Sequence, residues 1–93
     1  VIVSFASRET EELFYDLRPK GLPANILAAA RRKLLMIHAS VSLNDLKVPP
    51  GNRLEALKGK RKGQYSIRIN DQWRVCFRFS HNQAYDVEIT DYH

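Results

Sequence analysis

The feature that most constrains this chain is a change in hydrophobic period at Gln64. Before it, apolar residues recur at helical spacing; after it, they alternate with polar ones. Tyr65, Ile67 and Ile69 alternate with Gln64, Ser66 and Arg68. Trp73, Val75, Phe77 and Phe79 alternate with Arg74, Cys76, Arg78 and Ser80. Tyr85, Val87 and Ile89 alternate with Asp86, Glu88 and Thr90. A period of two gives each strand one buried and one solvated face, which predicts three antiparallel strands with short connections. Register follows from burial, because a one-residue slip would expose an entire apolar set. Ile69 is therefore expected opposite Trp73, around an Asn70-Asp71-Gln72 turn, with Ile67 opposite Val75 and Tyr65 opposite Phe77. In the next hairpin Phe79 is expected opposite Tyr85, and Phe77 opposite Val87.

The other sheet face then collects Arg68 opposite Arg74, Ser66 opposite Cys76 and Arg78 opposite Asp86, with Tyr92 reaching the same side. This face is expected to be polar, basic and open. Like charges directly opposed destabilise a strand pair. Arg68 opposite Arg74 therefore calls either for a phosphate between them or for side chains splayed into water.

The N-terminal half reads differently. Val1–Phe5 is β-branched and apolar, a short strand. Ser7 is an N-cap, and Glu9, Glu11 and Glu12 suit the positive end of a helix dipole. Leu13, Phe14 and Leu17 form the apolar stripe of that helix, which Pro19 and Gly21 stop. A second helix starts near Pro23 and carries Ile26, Leu27, Ala30, Leu34 and Ile37 on one side, with Arg31, Arg32 and Lys33 opposite. It ends at His38-Ala39-Ser40. Asn44–Arg53, with Pro49, Pro50, Gly51 and Asn52, is a loop. Leu54, Ala56 and Leu57 anchor the chain to something apolar, and Lys58–Gly63 is a basic turn. The expected fold class is α+β: two N-terminal helices packed on one face of a small, largely antiparallel sheet. A chain of 93 residues builds one core, so residues 1–93 are expected to form a single domain.

Composition narrows the partners. The formal charge of +5 points to a polyanion such as nucleic acid. Cys76 is the one cysteine, so no internal disulfide forms and no Cys–His pair has metal-finger spacing. No apolar run approaches the roughly 20 residues of a membrane helix. Val1–Phe5 is too short and uncharged for a signal peptide. A cytoplasmic protein without a membrane partner is expected.

Metal-free RNA cleavage needs a base for a ribose 2′-hydroxyl, an acid for the leaving oxygen and cations on the crowded phosphate. His93 is suited to acid or base work near neutral pH. Tyr92 offers a hydroxyl or a ring on which a base stacks. Arg74, Arg68 and Lys58 are fixed cations, and Asp91 is placed to orient His93 or a neighbouring arginine. Arg68, Arg78 and the turn residues Lys60, Arg61 and Lys62 are the expected RNA-binding cations. Plainer readings stand beside these. Asp91-Tyr92-His93 reads equally as a frayed end, and Lys58–Lys62 as a solvated loop. Trp73 shares the parity of Val75 and belongs to the core. His38 and His81 read as helix-end and turn residues, and Cys76 as an unactivated packing residue. Alternation splits Asp86 and Glu88 from Asp91 and His93, so neither a metal site nor a cofactor is expected.

Three stretches carry a family resemblance: Arg53-Leu54-Glu55-Ala56-Leu57-Lys58-Gly59, Ser66-Ile67-Arg68-Ile69-Asn70-Asp71-Gln72-Trp73-Arg74-Val75-Cys76-Phe77, and Asp91-Tyr92-His93. The chain resembles the HigB toxins, a branch of the RelE/ParE superfamily of type II toxin–antitoxin systems. Ile2-Val3-Ser4-Phe5 and the two helices before Pro49-Pro50-Gly51-Asn52 extend the likeness over nearly the whole chain. The resemblance implies an endoribonuclease that cuts mRNA in the ribosomal decoding site and is neutralised by a HigA-type helix-turn-helix antitoxin. Operator DNA would be bound only through the toxin–antitoxin complex. Carried over by position, Arg74 stabilises the scissile phosphate, Lys58 assists it, and Tyr92 and His93 contact RNA and share proton transfer, with Asp91 supporting them. Glu55 departs from the pattern, standing where some HigB toxins have an active-site histidine; it is either an acid/base group or a partner of Lys58. A weaker or differently tuned nuclease stays open on that account. So do a non-catalytic RNA- or ribosome-binding module and a chain acting mainly in an autoregulatory repressor complex.

Overall fold

The computed structural model describes residues 1–91. Ser7 opens the first helix as expected: its backbone is extended, and its hydroxyl accepts the Thr10 N–H at 3.3 Å. That bond satisfies one of the N–H groups every helix start leaves orphaned. Helix α1 (Arg8–Phe14) buries Thr10 and Leu13. It ends earlier than Pro19 and Gly21 indicated, because Asp16 takes a left-handed backbone (φ 65°). Leu17, expected on the apolar stripe, is exposed instead, as is Tyr15. A single 3₁₀ turn, Ala24–Ile26, follows Pro23 and feeds helix α2 (Leu27–Ala39), whose Leu27, Ala30, Leu34 and Ile37 are buried. His38 near its end accepts the Ile2 N–H at Nδ1 (3.1 Å) and meets the Phe14 ring edge-on, tying the start of the chain to both helices.

Strands β2 (Tyr65–Arg68), β3 (Trp73–Ser80) and β4 (Gln83–Asp91) form the antiparallel sheet. The β2–β3 register is as expected: Tyr65–Phe77, Ser66–Cys76, Ile67–Val75 and Arg68–Arg74. The β3–β4 pairing keeps the expected register only from Trp73–Asp91 to Cys76–Glu88, then shifts to Arg78–Tyr85 and Phe79–Ala84. Two demands conflict here. The His81-Asn82 turn, with φ of 52° and 63°, pairs Ser80 with Gln83, as two-residue hairpins with left-handed central residues do. Core burial upstream requires a register longer by one residue. A bulge reconciles them, with Asp86 (φ 51°) and Val87 set against Phe77. Tyr85 consequently turns to the Arg78 side and the fully buried Ala84 takes its place in the core. The expected Phe79–Tyr85 and Arg78–Asp86 register pairs are corrected accordingly.

Strand β1 (Glu55–Ala56) was not expected; two residues are too few to show a period. It pairs antiparallel with β2 through Glu55–Ser66 and Ala56–Tyr65, giving the order β1-β2-β3-β4. At the far edge the N-terminal residues run parallel to β4 through Ile2–Ala84 and Phe5–Val87. The stretch read as a plain loop folds around a side chain. Turns of 3₁₀ helix, Leu43–Lys47 and Pro50–Asn52, wrap the fully buried Asn52. Its amide donates to the carbonyls of Leu46 (3.2 Å) and Val48 (3.4 Å) and its oxygen accepts from Lys33. Arg53 then leaves in a left-handed conformation (φ 47°). The core lies between the helices and one sheet face, where Leu34, Ile37, Ile67, Val75, Phe77 and Val87 pack, with Trp73 half-buried at its margin. No helix among the described residues is long and apolar enough to cross a membrane.

Candidate phosphate-binding face

The sheet face away from the helices carries Ser66, Arg68, Arg74, Cys76, Glu88 and Thr90, and Glu55 joins it by pairing with Ser66. It is not the open surface that alternation suggested. Ser66 and Cys76 are fully buried, because the segment after β1 folds back over them through a 3₁₀ turn, Gly59–Arg61. The Arg61 side chain reaches across the strands: Nη1 donates to Gln64 Oε1 (3.0 Å) and Glu88 Oε1 (3.3 Å), Nη2 to Thr90 Oγ1 (3.3 Å). A residue read as a free RNA-binding cation is thus also a clasp. Lys58, Lys60 and Lys62 stay exposed around it.

Arg74 lies at the centre of this face, its side chain only 11% exposed. Nε donates to Ser66 Oγ at 2.7 Å, and Nη2 donates to the Arg53 carbonyl at 2.7 Å and the Ser66 carbonyl at 3.5 Å. The Glu55 carboxylate stands 3.9 Å away, so the ion pair seen for Glu55 is with Arg74 rather than Lys58. Arg68 turns instead to Asp71. Each of the opposed arginines therefore has a carboxylate beside it, and neither splays freely into water. Arg78 pairs with Asp86 (Nε–Oδ2 3.5 Å) across the bulge and passes over Gly63. There φ is 92°, a backbone that side-chain-bearing residues adopt only with strain, while the Arg78 Nη1 atom 2.9 Å from an added Cβ is the end of a flexible side chain.

Charges alternate around Cys76. Burial pushes its thiol up; Glu88 and Glu55 add to that, while Arg61 and Arg74 oppose it. The thiol is therefore neutral packing material, as the sequence reading held. On the rim beside Arg68, burial holds the Lys33 ammonium below its ordinary value of 10.5, and Arg32 and Arg68 push the same way. Lys33, read only as part of a polar helix side, donates to the buried Asn52.

Strand pairing with Trp73 sets Asp91 on the other side of the sheet from Arg74, and its Oδ2 accepts from the Gln72 amide at 2.9 Å. Tyr92 and His93 lie outside the described residues, as do the contacts expected of Asp91 with His93. Asp86 and Glu88 are committed to Arg78 and Arg61, and among the described residues no group of three His, Cys, Asp or Glu could hold a metal ion. Two surface clefts lie away from this face. One, of about 360 Å³, is lined by Arg8, Glu12, Arg18 and Gly21, the other, of about 180 Å³, by Leu13, Leu17, Leu27 and Arg31. Neither contains a residue that faces Arg74. The exposed lysines around Arg74 make this face suited to a polyanion.

Sequence reasoning missed three members of the Arg74 surroundings: the Ser66 hydroxyl as its partner, the Arg53 carbonyl and the Arg61–Glu88 clasp. Alternation did place Ser66 on the right face. A buried small hydroxyl diagonal to an arginine was the available signal.

A family model and two relatives point to one family, and two solved structures share the fold. Residues 3–93 match HigB-like toxin, described as the RelE-like toxin of type II toxin–antitoxin system HigB. Toxin HigB-1 of Vibrio cholerae is 44% identical over 70 residues, covering 73% of this chain and 74% of that protein. Endoribonuclease HigB of Proteus vulgaris is 31% identical over 97 aligned positions and covers all of both chains. Among solved structures, the YoeB–YefM toxin–antitoxin complex of Staphylococcus aureus contains a chain of similar fold. Its TM-score is 0.60 at 20% identity, covering 100% of this chain and 98% of that one. A variant of YafQ from E. coli also has a TM-score of 0.60, at 15% identity, covering 98% and 91%.

Proposed function

This chain belongs to the HigB-like toxins of type II toxin–antitoxin systems, and from that premise we propose that it is an endoribonuclease cutting mRNA in the decoding site of the ribosome. A HigA-type antitoxin neutralises it, and operator DNA is reached only through that complex. The observation carrying the reading is the fixed guanidinium of Arg74, largely buried and next to a carboxylate, on a face edged by lysines.

The reaction needs few parts. A base takes the ribose 2′-proton, the 2′-oxygen bonds to phosphorus, and the bond to the 5′-oxygen breaks as an acid protonates it. Negative charge grows on the phosphate oxygens as the extra bond forms, and Arg74, held in place beforehand, stabilises that charge with little reorganisation. Lys58 adds a second cation from the start of the basic turn. Tyr92 and His93 share the proton transfers, with Asp91 in support. Glu55, half-exposed at 3.9 Å from Arg74, is the other acid/base group within reach. Arg68, Arg78, Lys60, Arg61 and Lys62 bind the flanking phosphates; Arg61 does so from its clasped position.

Translation-dependent mRNA cleavage by wild type, Arg74→Ala and a chain lacking His93 tests the proposal. Arg74→Ala is expected to lose about 2–4 kcal/mol of transition-state stabilisation, roughly a thirty- to a thousand-fold in rate. Cleavage undiminished by both changes removes the mechanism. Salt-sensitive ribosome binding without any cleavage by wild type would point to a non-catalytic binding module.

A further inference from the structure

We propose that Ser66 is a positioning residue of the cleavage site, acting through Arg74; this rests on the reading that Arg74 faces the scissile phosphate. Ser66 lies in β2, hydrogen-bonded between β1 and β3, so its backbone is fixed by ladders on both sides. It is fully buried, and its hydroxyl accepts the Arg74 Nε–H at 2.7 Å. The second hold on the guanidinium is the Arg53 carbonyl, 2.7 Å from Nη2. That carbonyl is aimed by a left-handed residue directly after the buried Asn52. A guanidinium is planar, so acceptors on Nε and on Nη2 fix both its position and the tilt of its plane.

The geometry also shows what the hydroxyl prevents. The Glu55 carboxylate is 3.9 Å from Nη2, just beyond hydrogen-bond distance. Without Ser66 Oγ, a buried Nε–H loses its acceptor, and that carboxylate is a strong replacement close by. A guanidinium swung onto Glu55 would spend its charge on an internal partner, and the transition-state phosphate would lose a preorganised cation. A misplacement of this kind costs rate more than ground-state binding, because the interaction it weakens grows toward the transition state.

Single-turnover cleavage of an mRNA on programmed ribosomes, measured over a range of ribosome concentrations, tests this. Ser66→Ala should lower the saturating rate about 10-fold, the low end for residues that orient a catalytic group, with the half-saturating concentration changed by less than about two-fold. Ser66→Thr, which keeps the hydroxyl, should recover most of the loss. In the Arg74→Ala background, Ser66→Ala should have no further effect. Thermal midpoints confirm that each variant is folded; if the threonine methyl is not accommodated, the cycle of alanine variants decides alone. Full activity of Ser66→Ala beside a crippled Arg74→Ala overturns the positioning role and leaves the reading of Arg74 standing. Multiplicative losses in the double variant also overturn it, since Ser66 would then act elsewhere. An active Arg74→Ala sinks the underlying reading itself.

Discussion

Replacing Asn52 with alanine should destabilise this protein far more than a loop substitution usually does. The side chain is fully buried in the connection between α2 and β1. Its amide donates to the carbonyls of Leu46 and Val48, and its oxygen accepts from Lys33. Alanine strands the buried Leu46 carbonyl, which costs about 1–3 kcal/mol when no water can replace the donor. Val48 is exposed, so water can take over at its carbonyl and little is lost there. The void left by the amide adds about 1 kcal/mol. The total is about 2–4 kcal/mol, which for a domain of this size lowers the thermal midpoint by roughly 10–25 °C. Urea unfolding followed by circular dichroism gives the free energy directly, and an unchanged m-value would place the effect in the native state. Asn52→Asp separates shape from hydrogen bonding, because it preserves volume and the acceptor for Lys33 while removing every bond the amide donates. It should be at least as harmful as alanine. A midpoint within about 3 °C of wild type for Asn52→Ala, or wild-type stability for Asn52→Asp, would refute the view that this side chain organises the loop.

Two other changes probe different layers. Thr10 is buried in α1 and its hydroxyl accepts the Ile89 N–H at 2.9 Å. Thr10→Val keeps the shape and should cost about 1–3 kcal/mol in urea unfolding, with faster hydrogen exchange at the Ile89 amide; unchanged exchange there would contradict the assignment. For Lys33, burial first and then Arg32 and Arg68 disfavour the charged form in the folded protein. Its contribution is thus unfavourable at neutral pH and is relieved as pH rises through the lowered folded value toward 10.5. Stability of wild type relative to Lys33→Met should climb over that interval, and a flat difference would show that the ammonium is not penalised.

What could be read from sequence, and what could not, divides along physical lines. The β2–β3 register was legible because Tyr65, Ile67, Val75 and Phe77 must share a buried face, and burial tolerates no slip. The β3–β4 register was half legible. The register read from Phe77 opposite Val87 carries on to the observed Val75–Ile89 pair, but it could not weigh the turn preference of His81-Asn82, which won locally and left Asp86 as the surplus residue. The right cations were on the right face, since Arg68 and Arg74 follow from alternation alone. Their relief by Asp71 and Glu55 did not follow, because it depends on the conformation of the β2–β3 turn and on the pairing of β1 with β2. Asn52 looked like an ordinary loop residue beside Pro49, Pro50 and Gly51, and only three-dimensional burial shows it as a hub. Leu17 misled for the opposite reason: its spacing fits a helix stripe, yet the helix has already ended at a left-handed Asp16.

The margins of the sheet bear on how anything can assemble with this molecule. A sheet ordinarily invites a newcomer to add a strand along its rim, using unpaired backbone groups as a template. Here one rim is β1, two residues long, and the other is a stretch joined to β4 by isolated bridges and interrupted at the bulge. Among the described residues, neither rim is a long regular strand on which an extended peptide could dock in register. Recognition at these rims therefore falls to side chains, and selection for tighter inhibition there would act on surface residues rather than on backbone complementarity.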